Sequence, residues 1–323
     1  MPRKTLIFGN GLGMALDNEA FALDRALKQV WENDGILSEG QRDLIRLCLP
    51  EDTEFKRPSS EDDLDLLQRV LSACDFLDGF DDVAGAHWLS EEGRAFPPAI
   101  RRFVHQVAAC FHNTGHELPE EFASPLCDFL HKTKSHVATL NYDPLLYQCF
   151  LNADVLAGYN GDLIDGMINK GFETNNLDRR NPEDLGWYLH LHGSPLFYDA
   201  KNGRVRKLTR NRLDNEVKES THLVLTHVRH KQSIIATSSL LSAYWRYLGH
   251  ALKETEEVIL IGYSGYDEHL NDFITRRING FNVRVVEWAS ARPNDDRSAY
   301  WKRKLKTPVE VEQYESILEF VDW

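Results

Sequence analysis

The chain has 323 residues, 42% of them hydrophobic, and a formal net charge of −13. That length suits about two domains or one domain with a large insertion, and the hydrophobic fraction supplies a core and argues against disorder. With no long run of Lys or Arg, the acidic balance disfavours nucleic-acid binding by this chain alone and leaves any anionic ligand to local backbone donors.

Five cysteines, Cys48, Cys74, Cys110, Cys127 and Cys149, are scattered without a Cys-x-x-Cys pair. Their odd number points to free thiols in a reducing, cytoplasmic setting. The apolar run Thr5 to Phe8, behind Pro2-Arg3-Lys4, is too short for a signal peptide, and no later run approaches a membrane span.

Thr5 to Phe8 predicts a strand. Gly9-Asn10-Gly11-Leu12-Gly13 follows, and Met14-Ala15-Leu16 begins a helix. Strand, glycine turn and helix together can bring backbone N–H groups to a pyrophosphate. The spacing is Gly-x-Gly-x-Gly, short of the full dinucleotide fingerprint, so a plain tight turn reads equally from it. Residues 23–130 read as mainly helical. Leu64, Leu67, Val70 and Leu71 keep a helical period behind a capping-box-like Ser60 to Asp63, and Pro97-Pro98 reads as the start of a second amphipathic helix.

His136 to Leu140 predicts a short buried strand ending in Asn141-Tyr142-Asp143, with Pro144 opening a helix to Phe150. Asp143 then either caps that helix or offers a carboxylate at the carboxyl edge of a sheet, where open α/β sheets bind ligands. Residues 152–184 hold Gly158, Gly161, Gly166 and Gly171 and read as loop or short helix that could cover a site. Trp187 to Leu191 predicts a strand running into His190-Leu191-His192-Gly193-Ser194. Asn202-Gly203 predicts a hairpin, and Thr221 to Thr226 a further strand.

Ser238 to Glu254 predicts a helix whose Tyr244, Trp245 and Tyr247 suit a core or an interface. Glu257 to Ile261 has the apolar character of a parallel-sheet strand and stops at Gly262-Tyr263-Ser264-Gly265-Tyr266-Asp267, before a helix from Glu268 to Asn279. Val283 to Glu287 and Val309 to Glu312 predict two more strands, with a short helix last.

Four strand ends thus carry polar or glycine-rich sequence, and on one edge of a parallel sheet they converge on one crevice. This set resembles the sirtuin family, and more closely the sirtuin-like NAD hydrolases of bacterial anti-phage defence. Gly9 to Gly13 stands for the family's Gly-Ala-Gly-x-Ser turn. Thr139-Leu140-Asn141-Tyr142-Asp143 stands for Thr-x-Asn-x-Asp, His192-Gly193-Ser194 for the catalytic His-Gly, and Gly262-Tyr263-Ser264 for the nucleotide turn. Two departures stand out. Deacylating sirtuins carry four zinc-ligating cysteines after His-Gly, and here only Cys149 lies beyond residue 127, so no zinc is expected. Asn10 and Gly13 replace the family's alanine and serine.

The resemblance implies a Rossmann-like parallel sheet, here from 1–22 and 131–323, while 23–130 (with 152–184) lie outside it and read from their own sequence as a helical insertion or cap. It also implies cleavage of the nicotinamide–ribose bond of NAD through an oxocarbenium-like transition state. In it Asp143 holds the leaving nicotinamide, Asn141 orients the ribose or water, and His192 is the general base. Gly9, Gly11 and the N–H groups of the first helix would cradle the pyrophosphate, Asn10, Gly13 and Tyr142 would border the nucleotide, and Gly262 and Ser264 would contact it. Asp267 either joins them or caps its helix, Glu287 would hold ribose hydroxyls, and His190 packs behind His192. The resemblance implies homo-oligomers and a partner such as a hexameric DNA-translocating ATPase. Two other readings are a non-catalytic NAD or ADP-ribose binding subunit and, against the cysteine count, a protein deacylase.

Overall fold

The uninterrupted apolar runs of the chain become the strands of one parallel sheet. The computed structural model describes residues 2–51, 56–84, 88–169, 171–179, 181, 183–209, 213, 221–225, 228–289 and 296–323. In order these form β1 (Lys4–Phe8), α1 (Gly11–Leu16), α2 (Leu23–Trp31), α3 (Glu39–Cys48), α4 (Glu61–Ala84), α5 (Glu91–His112) and α6 (Glu120–Thr133). Next come β2 (His136–Thr139), α7 (Leu145–Asn152), β3 (Leu163–Ile164), β4 (Met167–Ile168), β5 (Gly171–Phe172), β6 (Gly186–His190), β7 (Phe197–Asp199) and β8 (Val205–Lys207). The last stretch holds α8 (Val228–Thr237), α9 (Ser239–Glu254), β9 (Glu257–Ile261), α10 (Glu268–Thr275), β10 (Asn282–Trp288), α11 (Arg297–Leu305) and β11 (Glu310–Tyr314).

Seven strands pair in the order β11-β10-β9-β1-β2-β6-β3, every pairing parallel. This is a Rossmann-like α/β fold. The chain leaves β1 toward β2 on one side and returns to β9 on the other, so the order reverses beside β1, where such sheets bind ligands. Leu6, Ile7 and Phe8, and Ile259, Leu260 and Ile261, are fully buried, as strands covered on both faces require. A small antiparallel sheet, β4-β5-β8-β7, contains the hairpin expected at Asn202-Gly203.

α2 to α5 pack among themselves around Leu27, Ile45, Leu67, Ile100 and Phe103, and Leu145 of α7 joins that cluster. Among the described residues no helix is long and apolar enough to cross a membrane.

The capping box at α4 forms: Ser60 Oγ accepts the Asp63 N–H and Asp63 Oδ2 accepts the Ser60 N–H. Five expectations need correcting. Pro97 and Pro98 lie inside α5, which starts at Glu91 under a Ser90 cap. Burial of Phe96, Ile100 and Phe103 holds the helix through a stretch that lacks two N–H donors. Residues 152–184 are not only loop: Leu163-Ile164 is the edge strand of the main sheet, and Met167-Ile168 starts the small one. In place of a strand from Thr221, Leu223 makes an isolated bridge to Gly193, and residue 226 lies outside the described residues. α10 also ends at Thr275, short of Asn279, and the last helix is a single 3-10 turn, Ile317–Glu319.

Candidate active site

Because the sheet is parallel, the carboxyl ends of β1, β2, β6 and β9 share one edge. The turns Gly9 to Gly13, Asn141 to Asp143, His190 to Ser194 and Gly262 to Asp267 therefore meet there.

The first and last of these turns touch backbone to backbone. The Gly9 N–H donates to Ile261 O and the Gly11 N–H to Gly262 O, both at 2.9 Å. A Cβ on Gly11 would lie 2.6 Å from Gly262 O, and one on Gly262, whose φ is +59°, would lie 2.8 Å from Leu12 N. These glycines let two strand ends approach. The Gly9 and Gly11 N–H groups expected to cradle a pyrophosphate are instead engaged inside the sheet edge. A Cβ on Gly13 would press into the Phe21 ring at 2.5 Å, and the exposed Asn10 donates from Nδ2 to Phe21 O. Packing therefore accounts for the glycine at 13.

Asn141 is 6% exposed and donates from Nδ2 to Gly9 O at 3.0 Å, which ties the ends of β2 and β1 together. Its Oδ1 is buried with no hydrogen-bond partner among the described residues. An orphaned buried acceptor is costly, so it marks a place where a donor from a ligand or water belongs. The Tyr142 hydroxyl donates to Val224 O, and the ring stacks on Phe111 of α5 with centroids 6.3 Å apart. Asp143 Oδ1 accepts the Leu145 N–H at 3.0 Å, so it caps the first N–H of α7 from one residue before the Pro144 N-cap position. Burial pushes its carboxyl up to about 6. A buried carboxylate on a sheet edge that titrates so high is also a functional candidate, and capping does not exhaust its second oxygen.

His192 is held from two sides. Its carbonyl accepts the Val224 N–H at 3.0 Å, and its Nε2 lies 2.9 Å from Asp267 Oδ2. An ionised carboxylate only accepts, so Nε2 carries the proton and Nδ1 the lone pair. Gly193 follows at φ +81°, and a Cβ there would fall 1.7 Å from His222 O, so only glycine lets the chain turn here. Burial first, then the Lys231 ammonium, lower the His192 pKa against the opposing pull of Asp267. Burial raises the Asp267 carboxyl, but the hydrogen bond from His192 and the charges of His192 and Lys231 outweigh it and hold it well below the usual range. The pair at neutral pH is a neutral imidazole beside an ionised carboxylate. Asp267 Oδ1 also accepts the Leu270 N–H, so Asp267 caps α10 and anchors His192 at once.

His190 packs among Tyr147, Tyr188, Phe197 and Tyr244, and burial drives its pKa down to about 3. Ser264 is exposed, with its carbonyl accepting from the Tyr300 hydroxyl. Glu287, expected on ribose hydroxyls, is engaged within the fold: Arg297 binds both its oxygens at 2.7 Å, and Trp301 and Gln313 donate to it as well. The bidentate pair answers the cost of burying the charge, and a ribose would have to displace these donors.

Sequence reasoning missed Asp165 and Lys231. Asp165 follows β3 on the same edge, and burial pushes it up to about 7. The Asp-Gly pair after an apolar dipeptide was its only signal. Lys231 donates to Asp267 Oδ2 at 3.0 Å, and nothing in its local sequence marks it. A cavity of about 340 Å³ opens beside Pro144 and Tyr147, with Met167, Leu196 and Lys207 on its walls. Cavities of about 520 and 410 Å³ lie around Arg25, Gln29 and Asn33 on the helical layer, away from these strand ends.

Among the described residues, the helical layer reaches the edge beside the Phe111–Tyr142 stack through further contacts. His112 Nδ1 lies 3.2 Å from Tyr142 O, His105 Nε2 lies 2.9 Å from Pro195 O, and Glu61 Oε2 lies 3.9 Å from Lys231 Nζ.

Compared with known families, the chain matches the SIR2-like domain over residues 135–309, more than half of its length. That span contains Asn141, Asp143, His192, Lys231 and Asp267. No curated protein matches the chain.

Proposed function

The chain belongs to the SIR2-like domain family, a family of NAD-dependent enzymes, and from that premise we propose that it hydrolyses NAD at the nicotinamide–ribose bond. The observation that carries this reading is the pairing, on one sheet edge, of the neutral His192 held by Asp267 with the buried Oδ1 of Asn141, unsatisfied among the described residues.

In this reading the C1′–N bond breaks and nicotinamide leaves neutral with the bonding electrons. The ribose carries oxocarbenium character until water adds to C1′. The water's proton goes to His192 Nδ1, and the products are nicotinamide, ADP-ribose and one proton. Asn141 Oδ1 accepts from the ribose or the water and orients it. Asp143 accepts from the carboxamide of the leaving group through the oxygen that does not cap α7. The pyrophosphate must find donors other than the Gly9 and Gly11 N–H groups, which sets this site apart from a simple glycine-loop cradle. The helical layer closes over the dinucleotide and excludes bulk water, motivated by its contacts at Tyr142, Pro195 and Lys231.

A constitutive NAD hydrolase would deplete its host. A role in anti-phage defence, with activity held in check by self-assembly or by a partner such as a hexameric DNA-translocating ATPase, belongs to the same reading. The test incubates purified protein with NAD, alone and with an acylated peptide, and follows nicotinamide and ADP-ribose. Release in equal amounts without peptide is expected. Binding without release would make the chain a sensing subunit, and release only with peptide would make it a deacylase.

A further inference from the structure

Lys231 is the one charged side chain that α8 sends to the strand-end site among the described residues of that helix, and it is almost fully buried. Its Nζ lies 3.0 Å from Asp267 Oδ2, the same oxygen that meets His192 Nε2 at 2.9 Å. A lysine needed only to fasten α8 to α10 could use either oxygen or be replaced by packed hydrophobic groups without loss, since burying an ion pair rarely gains stability over them. Sharing one oxygen with the histidine has a different effect. The ammonium stabilises the carboxylate anion and competes with the imidazole for it, so Asp267 can orient the ring without drawing a second proton onto it.

We propose that Lys231 is a positioning residue for His192: through Asp267 it holds the imidazole with Nε2 protonated and Nδ1 open as the proton acceptor. Among the described residues, the charged or titratable groups facing His192 are Asp267 and His269 of α10, Lys231 of α8, Glu61 of α4 and the Tyr142 ring 6.5 Å away. Only Lys231 among them is a fixed cation. Its charge lowers the His192 pKa, while Asp267 and, more weakly, Glu61 raise it. The Glu61 carboxylate, half exposed on the helical layer, is the only other anion within 4 Å of Lys231 among the described residues.

The role assigned to Lys231 rests on the NAD-cleavage reading, but its test does not need turnover. Nitrogen-15 NMR of histidine-labelled protein reads the tautomer and titration of His192 directly, with His192→Gln used to assign the signal. The wild type is expected to show the Nε2–H tautomer and a His192 midpoint below that of an ordinary histidine. In Lys231→Met, Asp267 faces the ring unopposed, and the His192 midpoint is expected to rise by about one pH unit or more. The acid limb of kcat/KM for NAD should move with it, and Lys231→Arg should restore both. An Nδ1–H tautomer in the wild type overturns the proposal even if Lys231→Met fails to fold. So does an unmoved His192 midpoint in a folded Lys231→Met. A wild type that shows the expected tautomer and shift but releases no nicotinamide overturns the NAD-cleavage reading and leaves the electrostatic linkage standing.

Discussion

Asp143 shows how one residue carries a structural and a chemical burden together. It caps α7, yet its carboxyl titrates near 6 where an unfolded chain would titrate near 3.8. A folded-state pKa raised in this way contributes stability below about pH 4 that is lost as pH rises through 6. At pH 7.5 the buried charge therefore costs up to about 3 kcal/mol. Asp143→Asn keeps a capping oxygen and removes the charge. Denaturant unfolding should show it more stable than wild type at pH 7.5, with the gain vanishing near pH 4, while nicotinamide release falls. Equal stability at both pH values would mean that the carboxyl is not buried as described. Asn141→Ala should abolish release and spare NAD affinity measured by calorimetry; loss of folding would instead assign Asn141 to the Gly9 tether. Asn141 and His192 were legible because each sits in a short motif directly after a strand. The partners of His192 were not, because Asp267 and Lys231 lie 75 and 39 positions away in sequence and only the sheet brings them back.

At the scale of elements, hydrophobic runs identified β1, β2, β6, β9 and β10 because a doubly covered parallel strand leaves no polar alternation to confuse. The edge strand β3 was missed since two apolar residues between glycines carry too little pattern. Pro97-Pro98 misled because tertiary burial outweighed the missing donors. The glycines of the turns were visible, but their reason was not: Gly9, Gly11 and Gly262 accommodate one another. Gly11→Ala is expected to lose about 1–3 kcal/mol by overpacking. Gly193→Ala, with a forbidden contact and a left-handed backbone, should lose at least as much; both are measured by urea unfolding. A neutral Gly11→Ala would show that the two turns do not press together.

At the scale of the molecule, a seven-stranded sheet and a helical layer meet at the strand ends, and composition could announce the size of the layer but not which of its side chains reach Tyr142 or Lys231. With only Cys149 following residue 127, no four-cysteine zinc module can form after His192, so dialysis against a chelator should leave melting temperature and NAD cleavage unchanged. A drop in either, restored by zinc, would expose a site built from other ligands. The most direct test of the whole account is the rate of nicotinamide release from NAD by His192→Ala beside wild type. A fall of about 10²–10⁴-fold in a variant that still folds is expected, the range for losing a positioned general base; a folded His192→Ala that cleaves NAD at the wild-type rate would contradict the role given to His192.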